Sequence, residues 1–145
     1  MKLSKRSEYG LRAIIQLARL WPAAYVQSKD LAQQEDIPNK FLESILLALR
    51  RGGFLESKVG SGGGYRLSRP PRQILMGDLL RRLEGRLTII ETASSQETSL
   101  GKLAVYLVNQ KLTDSIDAAL DTMTLEELLD EVNRAGNLQQ AMYYI

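Results

Sequence analysis

Residues Lys58 to Arg69 read KVGSGGGYRLSR, three consecutive glycines between two short β-type runs, just downstream of a helical segment that ends in Arg50 and Arg51. This is the pattern of a thin β-hairpin. A tip without Cβ atoms can lie against another backbone at no steric cost, and Lys58, Arg66 and Arg69 are expected to surround it with positive charge. Two other readings compete. A nucleotide-binding phosphate loop needs Lys and then Ser or Thr after its glycines, opening a helix; here Tyr65 and Arg66 follow and Leu67 continues an extended pattern. A plain flexible loop is the other reading of a glycine run, and the residues upstream decide against it.

Upstream, Glu8 to Leu20 places Leu11, Ile14, Ile15, Leu17, Ala18 and Leu20 at helical spacing, with Ser7 as N-cap and Trp21-Pro22 as the stop. Ser28 is expected to cap a short helix from Lys29 to about Gln34. After a turn at Asp36-Ile37, Pro38 opens a third helix running to Arg51, with Phe41, Leu42, Ile45, Leu46 and Leu49 as its apolar stripe. Phe54 to Val59 and Gly64 to Ser68 are the hairpin strands, and Ile74 to Glu84 returns to helix. Three helices followed by a glycine-tipped hairpin is the order of a winged helix-turn-helix. Its third helix enters the DNA major groove and its wing reaches an adjacent minor groove or the backbone.

Composition narrows the function. The 145 residues contain no Cys and no His, which removes disulfides, thiolate catalysis, Cys/His zinc sites and imidazole bases. The paired carboxylates Glu126-Glu127 and Asp130-Glu131 read as a solvated helical face, so no enzymatic role is expected. Charge is divided unevenly. Met1 to Gly85 carries 15 Lys and Arg against 8 Asp and Glu, a net +7; Arg86 to Ile145 carries 4 against 9, a net −5. The basic part suits a polyanion. No apolar run approaches the roughly 20 residues of a membrane span, and no secretory apolar core follows the basic start, so a cytoplasmic protein without membrane contact is expected.

Three divisions are expected: a DNA-binding domain over 1–85, a polar connecting segment over 86–101, and a dimerisation helix with a tail over 102–145. Asn39, Lys40, Glu43 and Ser44 fall off the apolar stripe near the start of the third helix, where amide, ammonium and carboxylate groups can pair with base edges or phosphates. An exposed polar helix end is the plain alternative. Ser4, Tyr9, Ser28 and Lys29 lie near helix N-termini, which suit phosphate oxygens; for Ser28 capping is the simpler role. Arg50 suits phosphate. Lys58, Ser61, Gly62, Gly63, Gly64 and Tyr65 make up the wing, with Tyr65 also read as a residue anchoring the hairpin to the core. From Leu100 onward, Leu103, Leu107, Val108, Leu112 and Ile116 repeat at three- and four-residue spacing over about five turns. One apolar stripe on so long a helix predicts a two-fold dimer interface. Thr124-Leu125-Glu126-Glu127 fits a capping box opening a further short helix. The chain ends AMYYI, and Tyr143, Tyr144 and Ile145 either dock on their own domain or are captured by a partner that holds the terminal carboxylate.

The stretches MKLSKRSEYGLRA, FLESILLALRRGGFLESKVGSGGGYRLSRPP and ILMGDLLRRLEG together resemble the Rrf2 family of bacterial winged-helix regulators. The fold class implied is mainly α with a small β-hairpin: a winged helix-turn-helix plus a long dimerisation helix. The resemblance implies a homodimer on a roughly palindromic operator in double-stranded DNA, most naturally a repressor. Many members hold an iron-sulfur cluster with three cysteines before the long helix. Here that segment, Glu91 to Lys102, reads ETASSQETSLGK, so no cluster and no other cofactor is expected; an iron-sulfur sensor whose cysteines have been replaced would read the same way. Glu8, where some relatives supply a cluster ligand, is read as a surface carboxylate. A basic wing residue used by some relatives is displaced, with Val59 in its place and Lys58 adjoining it. The similarity leans toward the cluster-free branch that controls cysteine metabolism, whose similar tails dock into cysteine synthase. A winged-helix module used only for protein contacts remains a competing class; the +7 half argues against it.

Overall fold

The computed structural model describes residues 2–85 and 99–143. Helices α1 (Lys5–Leu20), α2 (Ser28–Glu35) and α3 (Asn39–Arg51) are followed by strands β1 (Leu55–Lys58) and β2 (Gly64–Leu67), a 3-10 turn at Pro71–Gln73, and helices α4 (Met76–Glu84), α5 (Leu100–Asp121) and α6 (Leu125–Tyr143). The winged helix-turn-helix with a long trailing helix is therefore present as the sequence predicts.

Several boundaries differ from expectation, each for a local reason. Helix α1 starts one turn earlier, because Ser4 rather than Ser7 caps it, accepting a hydrogen bond from the Ser7 amide at 3.2 Å. Ser7 is instead fully buried within the helix. Gln27 occupies the cap position of α2, so Ser28 is its first helical residue and not its cap. Pro38 sits at the cap position of α3, with Asn39 opening the helix. Both strands stop short of the expected ends, at Lys58 and Leu67. Helix α6 is no short helix: it runs 19 residues to Tyr143. Its capping box forms in both directions, Glu127 N–H to Thr124 Oγ1 at 3.2 Å and Thr124 N–H to Glu127 Oε2 at 3.3 Å.

One core holds α1 to α4 and the hairpin. Ala13, Ile14, Leu31, Leu42, Ile45, Leu46, Leu49, Leu67, Ile74 and Leu79 are completely buried in it, and most come from the predicted stripes. Leu20 does not join it and stands 45% exposed. The start of α6 belongs to the same core: Leu125 is completely buried, and its amide donates to Ile74 O while the Met76 amide donates to Met123 O, each at 2.8 Å. Arg81 reinforces this seam, binding Asp121 at 2.7 and 3.0 Å and Asp117 at 2.9 Å. Gly77 makes room for the contact, since a Cβ there would lie 2.1 Å from Asp121 Oδ1. The winged-helix part is thus pinned to the base of the long helix by backbone pairing and by ions together.

The wing has three attachments. β1 and β2 pair antiparallel with Lys58 opposite Gly64 and Leu55 opposite Leu67. Val26, in the connector between α1 and α2, adds a bridge to Tyr65, with both backbone hydrogen bonds formed at 2.8 and 2.9 Å. Arg69 closes the base by donating to Gly53 O at 2.8 Å and to Gln73 O at 3.2 Å.

Candidate nucleic-acid interface

An open groove of about 350 Å³ runs between the wing and the first turns of α2 and α3. Ser28 and Lys29 come from the start of α2, Asn39 and Glu43 from the start of α3, and Lys58, Gly63, Gly64 and Tyr65 from the hairpin. Eight residues chosen from sequence therefore meet in one concavity. Burial of Leu42, Ile45, Leu46 and Leu49 on the core side turns the opposite face of α3 outward, leaving Asn39, Lys40, Glu43 and Ser44 exposed. The two helix starts bring partial positive charge to the groove, and Lys29, Lys40 and Lys58 form no ion pair among the described residues.

The polar groups differ in how far they are already committed. Asn39 Nδ2 donates weakly to Glu43 Oε1 at 3.4 Å, while Ser44 Oγ donates to Phe41 O at 2.8 Å, which leaves the Ser44 oxygen free to accept. Among the described residues, Glu43 is the one carboxylate lining the groove. Phosphate would repel it, so its useful partner is a donor on a base edge, such as the cytosine amino group.

Other candidates lie elsewhere. Ser4 caps α1 and donates its amide to Glu84 at 2.8 Å. Tyr9 packs edge-on against Phe41 at 5.5 Å between centroids, supporting the start of α3 from behind. Arg50 is exposed in the last turn of α3, 11 residues beyond Asn39, or about 16 Å along the axis. Ser61 and Gly62 are exposed at the wing tip, outside the groove.

Two expectations about the wing need correction. Arg66 does not add free charge to the tip: its guanidinium pairs with Glu56 on the neighbouring strand, which raises its pKa above the ordinary value, and it stacks 4.4 Å from the Tyr25 ring centroid. Arg69 is committed to the hairpin base, as described. The glycines, in turn, approach the protein's own backbone. A Cβ on Gly63 would lie 2.2 Å from Lys58 O, and one on Gly64, where φ is +132°, would lie 2.3 Å from Val26 O. Among the glycines of the Lys58 to Arg69 stretch, Gly60 and Gly62 alone have open space around them.

Sequence reasoning missed Gln27 and Gly60, which also line the groove, and it missed Tyr25, whose ring carries Arg66 on one contact and Lys58 Nζ at 6.0 Å on another. The run Tyr25-Val26 between Pro22 and Ser28 is a short extended signal that could have suggested a third wing strand. Glu8 is a surface carboxylate as expected, 3.2 Å from Lys5 and 3.6 Å from Arg12.

On the C-terminal side, Leu103, Leu107, Val108 and Leu112 are 49, 44, 56 and 42% exposed along α5, while Ile116 is half-buried. Tyr143 is exposed at the end of α6. Tyr144, Ile145 and most of the Glu91 to Lys102 segment lie outside the described residues. No described helix is long and apolar enough to cross a membrane.

The family model for Rrf2, described as an iron-dependent transcriptional regulator, matches residues 3–131. The HTH-type transcriptional regulator CymR of Bacillus subtilis is 31% identical over 145 residues, spanning all of both chains. The solved structure of CymR, titled the global cysteine regulator of B. subtilis, superposes with a TM-score of 0.77 at 30% identity, covering 90% of this chain and 98% of that one. IscR of T. potens superposes at 0.75 with 31% identity, covering 93% and 90%.

Proposed function

Because the chain belongs to the Rrf2 family and is a DNA-binding transcriptional regulator, not an enzyme, we propose that it acts as a homodimeric repressor that lays α3 in the major groove of each operator half-site and its wing beside it. The observation that carries this reading is the shared groove, in which the first turns of two helices face a lysine-bearing hairpin across a space open to one sugar-phosphate strand. Lys29 and Lys58 meet phosphate, and Asn39, Lys40 and Glu43 meet base edges. The exposed apolar stripe of α5 supports dimerisation through Leu103, Leu107, Val108 and Leu112, with Ile116 at its inner end.

Control of cysteine or sulfur metabolism is the regulon we propose, supported by the full-length similarity to CymR. The tail from Tyr143 to Ile145 is the proposed docking element for cysteine synthase, and exposure of Met142 and Tyr143 at 76 and 92% supports its availability. The residues do not fit the iron-sulfur cluster that the sequence resemblance to the family brings with it. Thiolates hold the iron in such clusters, and this sequence has no Cys and no His; the proposed regulator works without one.

Operator binding measured across a salt series tests the DNA reading. Affinity should fall steeply, with a log-log slope near −0.9 for each phosphate neutralised. Lys58→Ala should lower the slope by about one unit and weaken specific and random duplexes alike, whereas Lys40→Ala and Glu43→Ala should change which operator is preferred. A flat salt response, or equal losses on all duplexes for all three variants, contradicts the assignment. Calorimetry of cysteine synthase with a chain lacking Tyr143 to Ile145 tests the tail; unchanged affinity refutes it.

A further inference from the structure

The wing tip from Val59 to Gly63 reads VGSGG, so Val59 is its one side chain larger than a hydroxymethyl group. Val59 is 95% exposed, more than any other large apolar residue described. It does not line the groove beside α3, although its neighbours Lys58 and Gly60 do. Of the hairpin's basic residues, Arg66 is held by Glu56 and Tyr25 and Arg69 by Gly53 and Gln73, while Lys58 lines the groove beside α3. The wing is itself held firmly, through the Val26–Tyr65 bridge. A narrow tip therefore presents one branched aliphatic group to whatever it touches.

We propose that Val59 is a specificity-determining residue that reads the minor groove for the absence of the guanine 2-amino group. This rests on the DNA-binding mode proposed above. The minor groove is about 6 Å wide and differs between A·T and G·C chiefly by that amino group. A tip flanked by Gly60 and Gly62, which have open space around them, is slender enough to enter. At an A·T pair the Val59 methyls meet a floor with no protruding donor and lose water from apolar surface. At a G·C pair the amino group protrudes into the same space, and contact with an aliphatic group strips it of water while offering it no acceptor.

The test uses the full chain and a duplex selected from a random-sequence pool, with the wing-contacted pairs located by hydroxyl-radical footprinting. At those pairs A·T is replaced by G·C, by inosine·C, which removes the amino group but keeps the G·C major groove, and by diaminopurine·T, which adds the amino group to A·T. Titration by fluorescence anisotropy should give A·T and inosine·C equal affinity, and G·C and diaminopurine·T affinities weaker by roughly fivefold or more. Val59→Ala, at an exposed site that leaves folding intact, should reduce the discrimination to below about twofold. Equal binding of inosine·C and G·C by the parent chain, or full discrimination retained by Val59→Ala, overturns the inference while leaving the DNA-binding mode standing. Failure to select any duplex overturns both.

Discussion

Replacing Gly64 by Ala separates the internal role of the wing glycines from a role in approaching DNA. The added Cβ would sit 2.3 Å from Val26 O, 2.4 Å from Val26 C and 2.7 Å from Gln27 N. Relief requires the connector and β2 to part by about 1 Å, because ordinary carbon contacts begin near 3.4 Å. That separation stretches both Val26–Tyr65 hydrogen bonds, now 2.8 and 2.9 Å, beyond useful length. Their loss costs about 1 kcal/mol each. Holding Ala at a φ of +132° adds about 1–3 kcal/mol, for a total of about 3–5 kcal/mol. Gly62→Ala is the control: its φ is +73° with nothing within 4 Å of the added atom, so it carries only the left-handed backbone cost of about 1–2 kcal/mol. Urea unfolding at one fixed protein concentration, needed because dimerisation would make stability concentration-dependent, reads both. With a slope near 2 kcal/mol per molar urea, Gly64→Ala should lower the midpoint by about 2 M and Gly62→Ala by less than about 1 M. A Gly64→Ala midpoint equal to or above that of Gly62→Ala would show that the bridge does not seat the wing.

Three further outcomes are expected. The Ser7 and Ser4 hydroxyls beside Glu84, and the Ser4 amide that donates to it at 2.8 Å, hold its carboxyl below the ordinary value, and Arg81 does the same for Asp121. A depressed folded pKa contributes stability that is complete above the unfolded carboxylate value near 4 and is lost as pH falls through the folded value; urea midpoints should therefore fall below about pH 4, and less steeply in Glu84→Gln than in the parent. Thr124→Ala removes the hydroxyl that caps α6 and should lower stability by about 1 kcal/mol by thermal unfolding; an unchanged melting temperature would contradict the cap. Leu107→Asp places a charge in the exposed stripe of α5, should yield monomers in sedimentation, and should weaken operator binding by roughly a hundredfold as the two half-sites become independent; a variant that still sediments as a dimer would move the interface off α5.

What the sequence reveals of this molecule follows the range of the forces involved. The α3 stripe, the Thr124 capping box and the hairpin strands arise from contacts a few residues apart, so periodicity and residue type announce them. Arg81 meets Asp117 and Asp121 across separations of 36 and 40 residues, and no local pattern couples them. Leu125 is similar: it reads as part of a separate C-terminal helix, yet its amide pairs with Ile74 and its side chain completes the core. The wing is the most instructive case. A glycine run signals that some backbone comes close, without saying whose. Gly63 and Gly64 meet Lys58 and Val26 of the same chain, and Arg66 is claimed by Glu56, so much of the motif's chemistry is used to build the wing. What remains outward is Lys58, Val59, Gly60, Ser61 and Gly62. In the proposed complex, contact with DNA through the wing rests on one ammonium group, one hydroxyl and one aliphatic side chain, and sequence preference at the wing would come from shape and from the fit of Val59 rather than from a second cation.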